Sequence, residues 1–300
     1  MHDFATRLAA YINEQIVHGN GAVSFPPQGM SSSVFFLFAN GIEYAVKYGS
    51  DATKDAPAIE LIRHRGVRVP VPEVVTTLVF EEVPVLVMKR ITLPLLESVS
   101  ALELPTYVPS MIAVMKELHT ITNPKPQKLS SSQNLVSWKD YILSQLDKRT
   151  INWTEVLKRD VLDHALVANA LERFSAMLIS SDLEPSTYAL LHTDFNQRNL
   201  FVDPTTKTIG GIIDWEDAVF GDPVYDFARI RMFLWHFGLQ ENIVESYYDS
   251  MRYTDDEKRR EWLYWTARVI QYLAWYSEEN TEFNASRIAL HQDYLRAIRW

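Results

Sequence analysis

Three hundred residues, 47% of them hydrophobic, can bury a large core as one domain or as two lobes. A net charge of −9 argues against a nucleic-acid partner, and no apolar run approaches the roughly 20 residues that span a bilayer. The absence of cysteine removes disulfides and thiolate metal sites and suits a reducing, cytoplasmic setting, as does an N-terminus carrying Asp3 and Glu14 with no apolar h-region.

Apolar residues Phe4, Leu8, Tyr11, Ile12 and Ile16 recur at helical spacing and predict a helix over 4–17, stopped by Gly19-Asn20-Gly21. Strands follow over 34–38 and 42–48, joined at Asn40-Gly41, a dipeptide favoured in hairpin turns. Asp55 opens a short helix to Arg65, with Pro57 in its first turn and Gly66 at its end. Further strands are predicted over 74–80 and 85–91. From Leu93 the period turns helical, over 107–120, 138–146 and 161–180, and the proline- and serine-containing 122–133 reads as a mobile loop. After an apolar hairpin the helices resume over 222–235, 240–251, 256–278 and 283–299. Trp262, Trp265 and Trp275, at helical spacing in the last of these elements but one, read as core packing.

The hairpin carries the chemistry. An apolar run, 188–191, leads into His192-Thr193-Asp194-Phe195-Asn196-Gln197-Arg198-Asn199, and a second run, 208–213, ends at Asp214-Trp215. If those two runs pair, one carboxylate and two oxygen ligands meet around a point. Metal-assisted phosphoryl transfer asks for little more: a carboxylate to orient the attacking hydroxyl, and hard oxygen ligands for Mg²⁺. Asp194 is then the base, while Asn199 and Asp214 are the metal ligands. His192, at the end of a buried strand, suits a structural role. Two roles fit Arg198: neutralising charge near phosphates, or an outward salt bridge.

These residues resemble the aminoglycoside phosphotransferase and choline kinase family. Tyr44-Ala45-Val46-Lys47, Gly66 to Val74, Glu117-Leu118-His119, and Gly221-Asp222-Pro223 with Asp226 match as well. Within the family, Ser137 to Ile142 and Ile213 to Asp222 look most like the hygromycin-B phosphotransferases. The resemblance implies an α+β, bilobal protein-kinase-like fold. Residues 1–91 would form a β-rich N-terminal nucleotide-binding lobe ending in a hinge, and 92–300 a larger helical C-terminal lobe with the acceptor site. It implies ATP (or GTP) and Mg²⁺ as cofactors. Lys47 would contact the α- and β-phosphates and pair with an acid on the nearby helix. Glu60 is the choice for that acid, since Asp55 is better placed as an N-cap. Ser31 and Ser32 would cover the phosphates, and Met88 to Arg90 would meet the base. Asp222 caps a helix with Pro223 at its first position, and Asp226 supports the catalytic loop.

Only a few residues separate Asp214 from Asp222, too few for the activation segment on which a protein kinase holds a peptide. The acceptor is therefore expected to be a small molecule. Residues 1–91 carry 8 Lys/Arg and 9 Asp/Glu, the remainder 21 and 29. That excess points to a cationic acceptor, with Glu216 and Asp217 as its contacts, or simply to a solvated acidic surface. The expected activity is phosphorylation of an aminoglycoside or aminocyclitol such as hygromycin B, conferring resistance. The alternatives are a metabolic kinase for choline, an amino alcohol or a sugar, and a nucleotide-binding pseudokinase. Monomer and homodimer both remain open.

Overall fold

A computed structural model describes residues 2–19, 21–26, 33–131, 135–147, 152–180, 183–236, 251–279 and 281–297. It combines a β-sheet N-terminal part with a helical C-terminal part. The chain divides into two compact units. The first holds residues 1–121, 128–133 and 192–219; the second holds 122–127, 134–191 and 220–300. The first thus joins residues 1–91 with 92–121 and with the segment that carries Asp194, Asn199 and Asp214. The helix expected over 240–251 falls almost wholly outside the described residues.

In the first unit, α1 (His2–Gln15) is followed by β1 (Ala22–Ser24), a short edge strand the sequence pattern does not announce. β2 (Ser33–Ala39) and β3 (Ile42–Tyr48) form the expected hairpin. Asn40 and Gly41 have φ of 53° and 76°, and two successive positive φ values give the primed turn that matches strand twist. Next come α2 (Ala56–Arg65), β4 (Val74–Phe80) and β5 (Val83–Lys89). The last strand starts two residues earlier than predicted because Glu81 and Glu82, both at positive φ, reverse the chain in two residues. The antiparallel order is β1-β2-β3-β5-β4.

Strand alternation gives this sheet two different faces. Phe35, Leu37, Tyr44, Val46, Val85 and Val87 bury one face against Ala5, Leu8 and Ile12 of α1. Leu8 and Ile12 are fully buried, and truncating either to Ala is expected to cost about 2–5 kcal/mol. Register places Val34 opposite Lys47, Phe36 opposite Ala45, and Lys47 opposite Leu86, so Lys47 belongs to the other face. α3 (Val108–Leu118) completes the N-terminal stretch of this unit.

The second unit contains α4 (Trp138–Asp147), α5 (Trp153–Val156), α6 (His164–Ser180), α7 (Val224–His236), α8 (Asp255–Tyr276) and α9 (Glu282–Ala297). The stretch 122–133, expected to be a mobile loop, contains β6 (Thr122–Asn123) and β7 (Gln127–Lys128), and β6 pairs with β8 (Tyr188–Leu191). A capping box of Thr254 with Glu257 starts α8. Trp138 stacks on Tyr141 and donates through Nε1 to the Tyr264 hydroxyl. Trp265 is 2% exposed, in keeping with a packing role. Among the described residues no helix is long and apolar enough to cross a membrane.

Candidate active site

β3 presents Lys47 from its second face, and three carboxylates converge on it. Nζ lies 2.7 Å from Asp55, 3.1 Å from Glu216 and 3.4 Å from Asp214. The partner is therefore Asp55, not Glu60. A 3₁₀ turn, Ala52–Asp55, precedes α2, so Asp55 sits before the first α-turn and makes no side-chain capping bond. Its other oxygen accepts the Trp215 amide at 2.5 Å. Glu60 is exposed, because Ala58, Ile59 and Ile62 take the buried side of α2. Burial alone would lower the Lys47 pKa, but Asp55, Asp214 and Glu216 outweigh it and hold the ammonium above its ordinary range. The Asp214 carboxyl is pushed up by burial, with Lys47 pulling the other way.

The segment 192–199 follows β8. His192 is fully buried; its Nδ1 accepts the Asp194 amide at 3.2 Å and its Nε2–H donates to the Ile213 carbonyl at 2.9 Å. Those two bonds select the Nε2–H tautomer and tie the loop to the segment carrying Asp214. The ring also packs edge-on to Trp215, centroids 4.5 Å apart. Asp194 Oδ2 accepts from Asn196 Nδ2 at 2.9 Å and from Asn199 Nδ2 at 3.0 Å. Two amide donors on one oxygen orient the carboxylate. Asn196 also accepts the Arg198 amide at 2.9 Å, an Asx-type turn within the motif that sequence reasoning left without a role. Thr193 and Asp214 both adopt positive φ, 69° and 70°, and for a β-branched residue such as Thr193 that conformation is strained.

The expected pairing of 188–191 with 208–213 is replaced by a different hairpin. β9 (Leu200–Asp203), an unpredicted strand, pairs with β10 (Thr208–Ile212), and the Ile213 amide donates to the Asn199 carbonyl at 3.0 Å. A four-residue strand begun directly after Asn199 leaves too short a pattern to read. β11 (Val219–Gly221) then ends the segment.

The ligand atoms of Asp55, Asp214 and Glu216 lie within 4.8 Å of one another. Asp55 is committed to Lys47 and the Trp215 amide, so Asp214 and Glu216 are the members of this group with hard carboxylate oxygens to offer, a donor type that fits Mg²⁺. Asn199 turns its amide nitrogen to Asp194, which leaves its carbonyl Oδ1 as the atom able to face a cation.

Glu216 faces Lys47, and Asp217 pairs with Lys128 at 2.7 Å, so each has a cationic partner within the protein. Arg198, largely exposed, takes the outward role with Glu97 at 3.4 Å. The Arg90 amide donates to the Glu43 carbonyl, its guanidinium pairs with the Glu43 carboxylate at 2.5 Å, and it lies over Phe36. The Lys89 amide likewise bonds the Glu73 carbonyl, so these two amides are held by the sheet rather than offered to a base. Met88, 8% exposed, faces the Lys47 side of the sheet with Ala45. Ser31 and Ser32 lie outside the described residues.

Within the second unit Asp222 is fully buried, accepts the Val224 amide, and also takes 2.7 Å bonds from Arg260 Nε and the Tyr264 hydroxyl. Burial pushes its carboxyl up while Arg260 pulls it back. The helix begins one residue later than expected, at Val224, and Asp226 is buried in its first turn.

A model of the phosphotransferase enzyme family matches residues 23–262. Hygromycin-B 4-O-kinase from Escherichia coli is 27% identical over 215 residues, 69% of this chain; the alignment spans 60% of that relative's length. The crystal structure of the aminoglycoside phosphotransferase APH(4)-Ia superposes with a TM-score of 0.73 at 20% identity, covering 98% of this chain and 97% of that one. A thermostable mutant of the same phosphotransferase, in a ternary complex with AMP-PNP and hygromycin B, gives 0.72 at 20% identity, with 97% of each chain covered. Spectinomycin phosphotransferase APH(9)-Ia, in complex with ADP and spectinomycin, gives 0.65 at 14% identity, covering 97% of this chain and 93% of that one. At these identities the likeness is one of fold.

Proposed function

The chain belongs to the phosphotransferase enzyme family, and on that premise we propose that it transfers the γ-phosphoryl group of ATP to a hydroxyl of a small cationic acceptor, an aminoglycoside or aminocyclitol such as hygromycin B. The observation that carries this reading is the Asp194 carboxylate, oriented by Asn196 and Asn199 in the same unit as Lys47, Asp55 and Asp214. Asp194 accepts the acceptor's O–H and aims its oxygen at the γ-phosphorus. Lys47, fixed by Asp55, meets phosphate oxygens with its ammonium. Asp214, with Asn199 Oδ1, would hold Mg²⁺, which supplies charge neutralisation along the phosphates. His192 fixes the loop through the two bonds its ring makes.

The product gains about two negative charges where the drug had a neutral hydroxyl, which spoils recognition by a target that reads a cation. Coupled ADP release with Mg²⁺-ATP tests the reading across hygromycin B, other aminoglycosides, a macrolide, choline and simple sugars. Turnover on an aminocyclitol is expected. Turnover confined to choline or a sugar would replace the antibiotic acceptor with a metabolic one.

A further inference from the structure

We propose that Glu216 is an exchangeable counter-carboxylate for Lys47 that couples nucleotide binding to the divalent cation. It engages the lysine when neither ligand is present, and its charge opposes nucleotide that arrives without the cation. The inference rests on the nucleotide site proposed above.

An ammonium has three N–H donors. Those of Lys47 face Asp55 at 2.7 Å, Glu216 at 3.1 Å and Asp214 at 3.4 Å. A phosphate oxygen can take a full bond from Nζ only if one of these partners gives way. Asp55 is the fixed one: its side chain is 3% exposed and its second oxygen accepts the Trp215 amide, so releasing it would strand two buried groups. Asp214, held by the longest contact, sits at positive φ in the loop anchored to His192 through Ile213. Glu216 is more accessible than Asp55, 20% against 3% exposed; Asp214 is more exposed still at 38%, but the Glu216 side chain is longer and can swing without moving the backbone.

Charge gives the exchange its direction. One ammonium against three carboxylates leaves the cluster at −2, and a polyphosphate entering alone meets like charge in a partly buried site. With a divalent cation present, Glu216 can leave Lys47 to the phosphates and turn towards the cation, because its ligand oxygen already lies within 4.8 Å of those of Asp55 and Asp214. Glu216 therefore belongs to the nucleotide end of the site and acts on phosphates through Lys47, as a positioning residue rather than an acceptor contact.

The test is calorimetric binding of AMP-PNP, measured in EDTA and in Mg²⁺, to the wild-type chain and to Glu216→Gln. The wild type is expected to bind more tightly with Mg²⁺. In Glu216→Gln the metal-free affinity should rise about tenfold while the Mg²⁺ affinity holds or falls, so the ratio of the two drops about tenfold, within the usual range of a coupling between sites. Glu216→Ser, a second neutral variant, should do the same, and Glu216→Asp, which keeps the charge, should retain most of the ratio. Equal changes in both buffers would mark Glu216 as merely structural and overturn the inference, as would an unchanged ratio. If the wild type binds the analogue in neither buffer, the nucleotide site itself is refuted and the inference falls with it.

Discussion

Asp55 offers the sharpest test of how Lys47 is held. Its side chain is nearly inaccessible, one oxygen receives Lys47 and the other the Trp215 amide. Asp55→Ala removes both acceptors. Loss of one partner from a buried ion pair costs about 3–5 kcal/mol, and a buried amide left without an acceptor about 1–3 kcal/mol. Asp214 and Glu216 remain beside Lys47 and absorb part of the first cost, so about 3–5 kcal/mol in all is expected. At roughly 2 °C per kcal/mol for a chain of this length, Tm should fall by about 6–10 °C. Asp55→Asn keeps an oxygen for Trp215 and loses only the charge, so about half that fall is expected, with nucleotide affinity still reduced. Glu60→Ala, on the exposed side of α2, should stay within about 0.5 kcal/mol of the wild type and bind nucleotide normally. Differential scanning fluorimetry and nucleotide titration on the three variants decide it. A Glu60→Ala protein that loses nucleotide affinity beside an Asp55→Ala protein that keeps it would refute the pairing.

Other expectations follow from the same geometry. Asp194→Asn keeps the shape of the base but not its proton affinity, so turnover should fall about 10²–10⁴-fold while ATP binding, read by titration, is retained. Tyr264→Phe removes a donor to Asp222 and the acceptor of the Trp138 indole, at a cost of about 1–3 kcal/mol in urea unfolding. Burial and Asp222 raise the Tyr264 pKa well above its ordinary value. The folded state therefore keeps a proton that the unfolded chain loses near pH ~10. Stability from this group is complete below that pH and declines above it, and Tyr264→Phe should show a shallower alkaline decline. In Gly221→Ala the new methyl group would run into the Trp138 ring, which is fully buried; about 1–3 kcal/mol of destabilisation and altered tryptophan fluorescence are expected.

The parts that were legible in the sequence were local. Asn40-Gly41 specifies its turn by φ alone, and the strands either side keep period-two burial against α1. Asp194, Asn199 and Asp214 stand out by spacing and by the apolar runs before them, although the strand that pairs with 208–212 is β9. The choice between Asp55 and Glu60 was not local. It depends on a 3₁₀ turn that brings Asp55 to Lys47 and on a Trp215 amide 160 residues away in sequence, neither of which leaves a periodic trace. The ion pairs of Glu216 and Asp217 are no more local: the fold supplies Lys47 to one and Lys128 to the other across 169 and 89 residues of sequence.

The central claim is that the Asp194 loop passes a phosphoryl group to a hydroxyl of an aminocyclitol. Phosphorus NMR of hygromycin B incubated with the protein, Mg²⁺ and ATP tests it most directly, with Asp194→Asn alongside. A new phosphomonoester on the drug, formed in step with ADP and missing with the variant, is the predicted result. ADP formed with no phosphate on the acceptor, or a product made equally well by Asp194→Asn, would contradict the account.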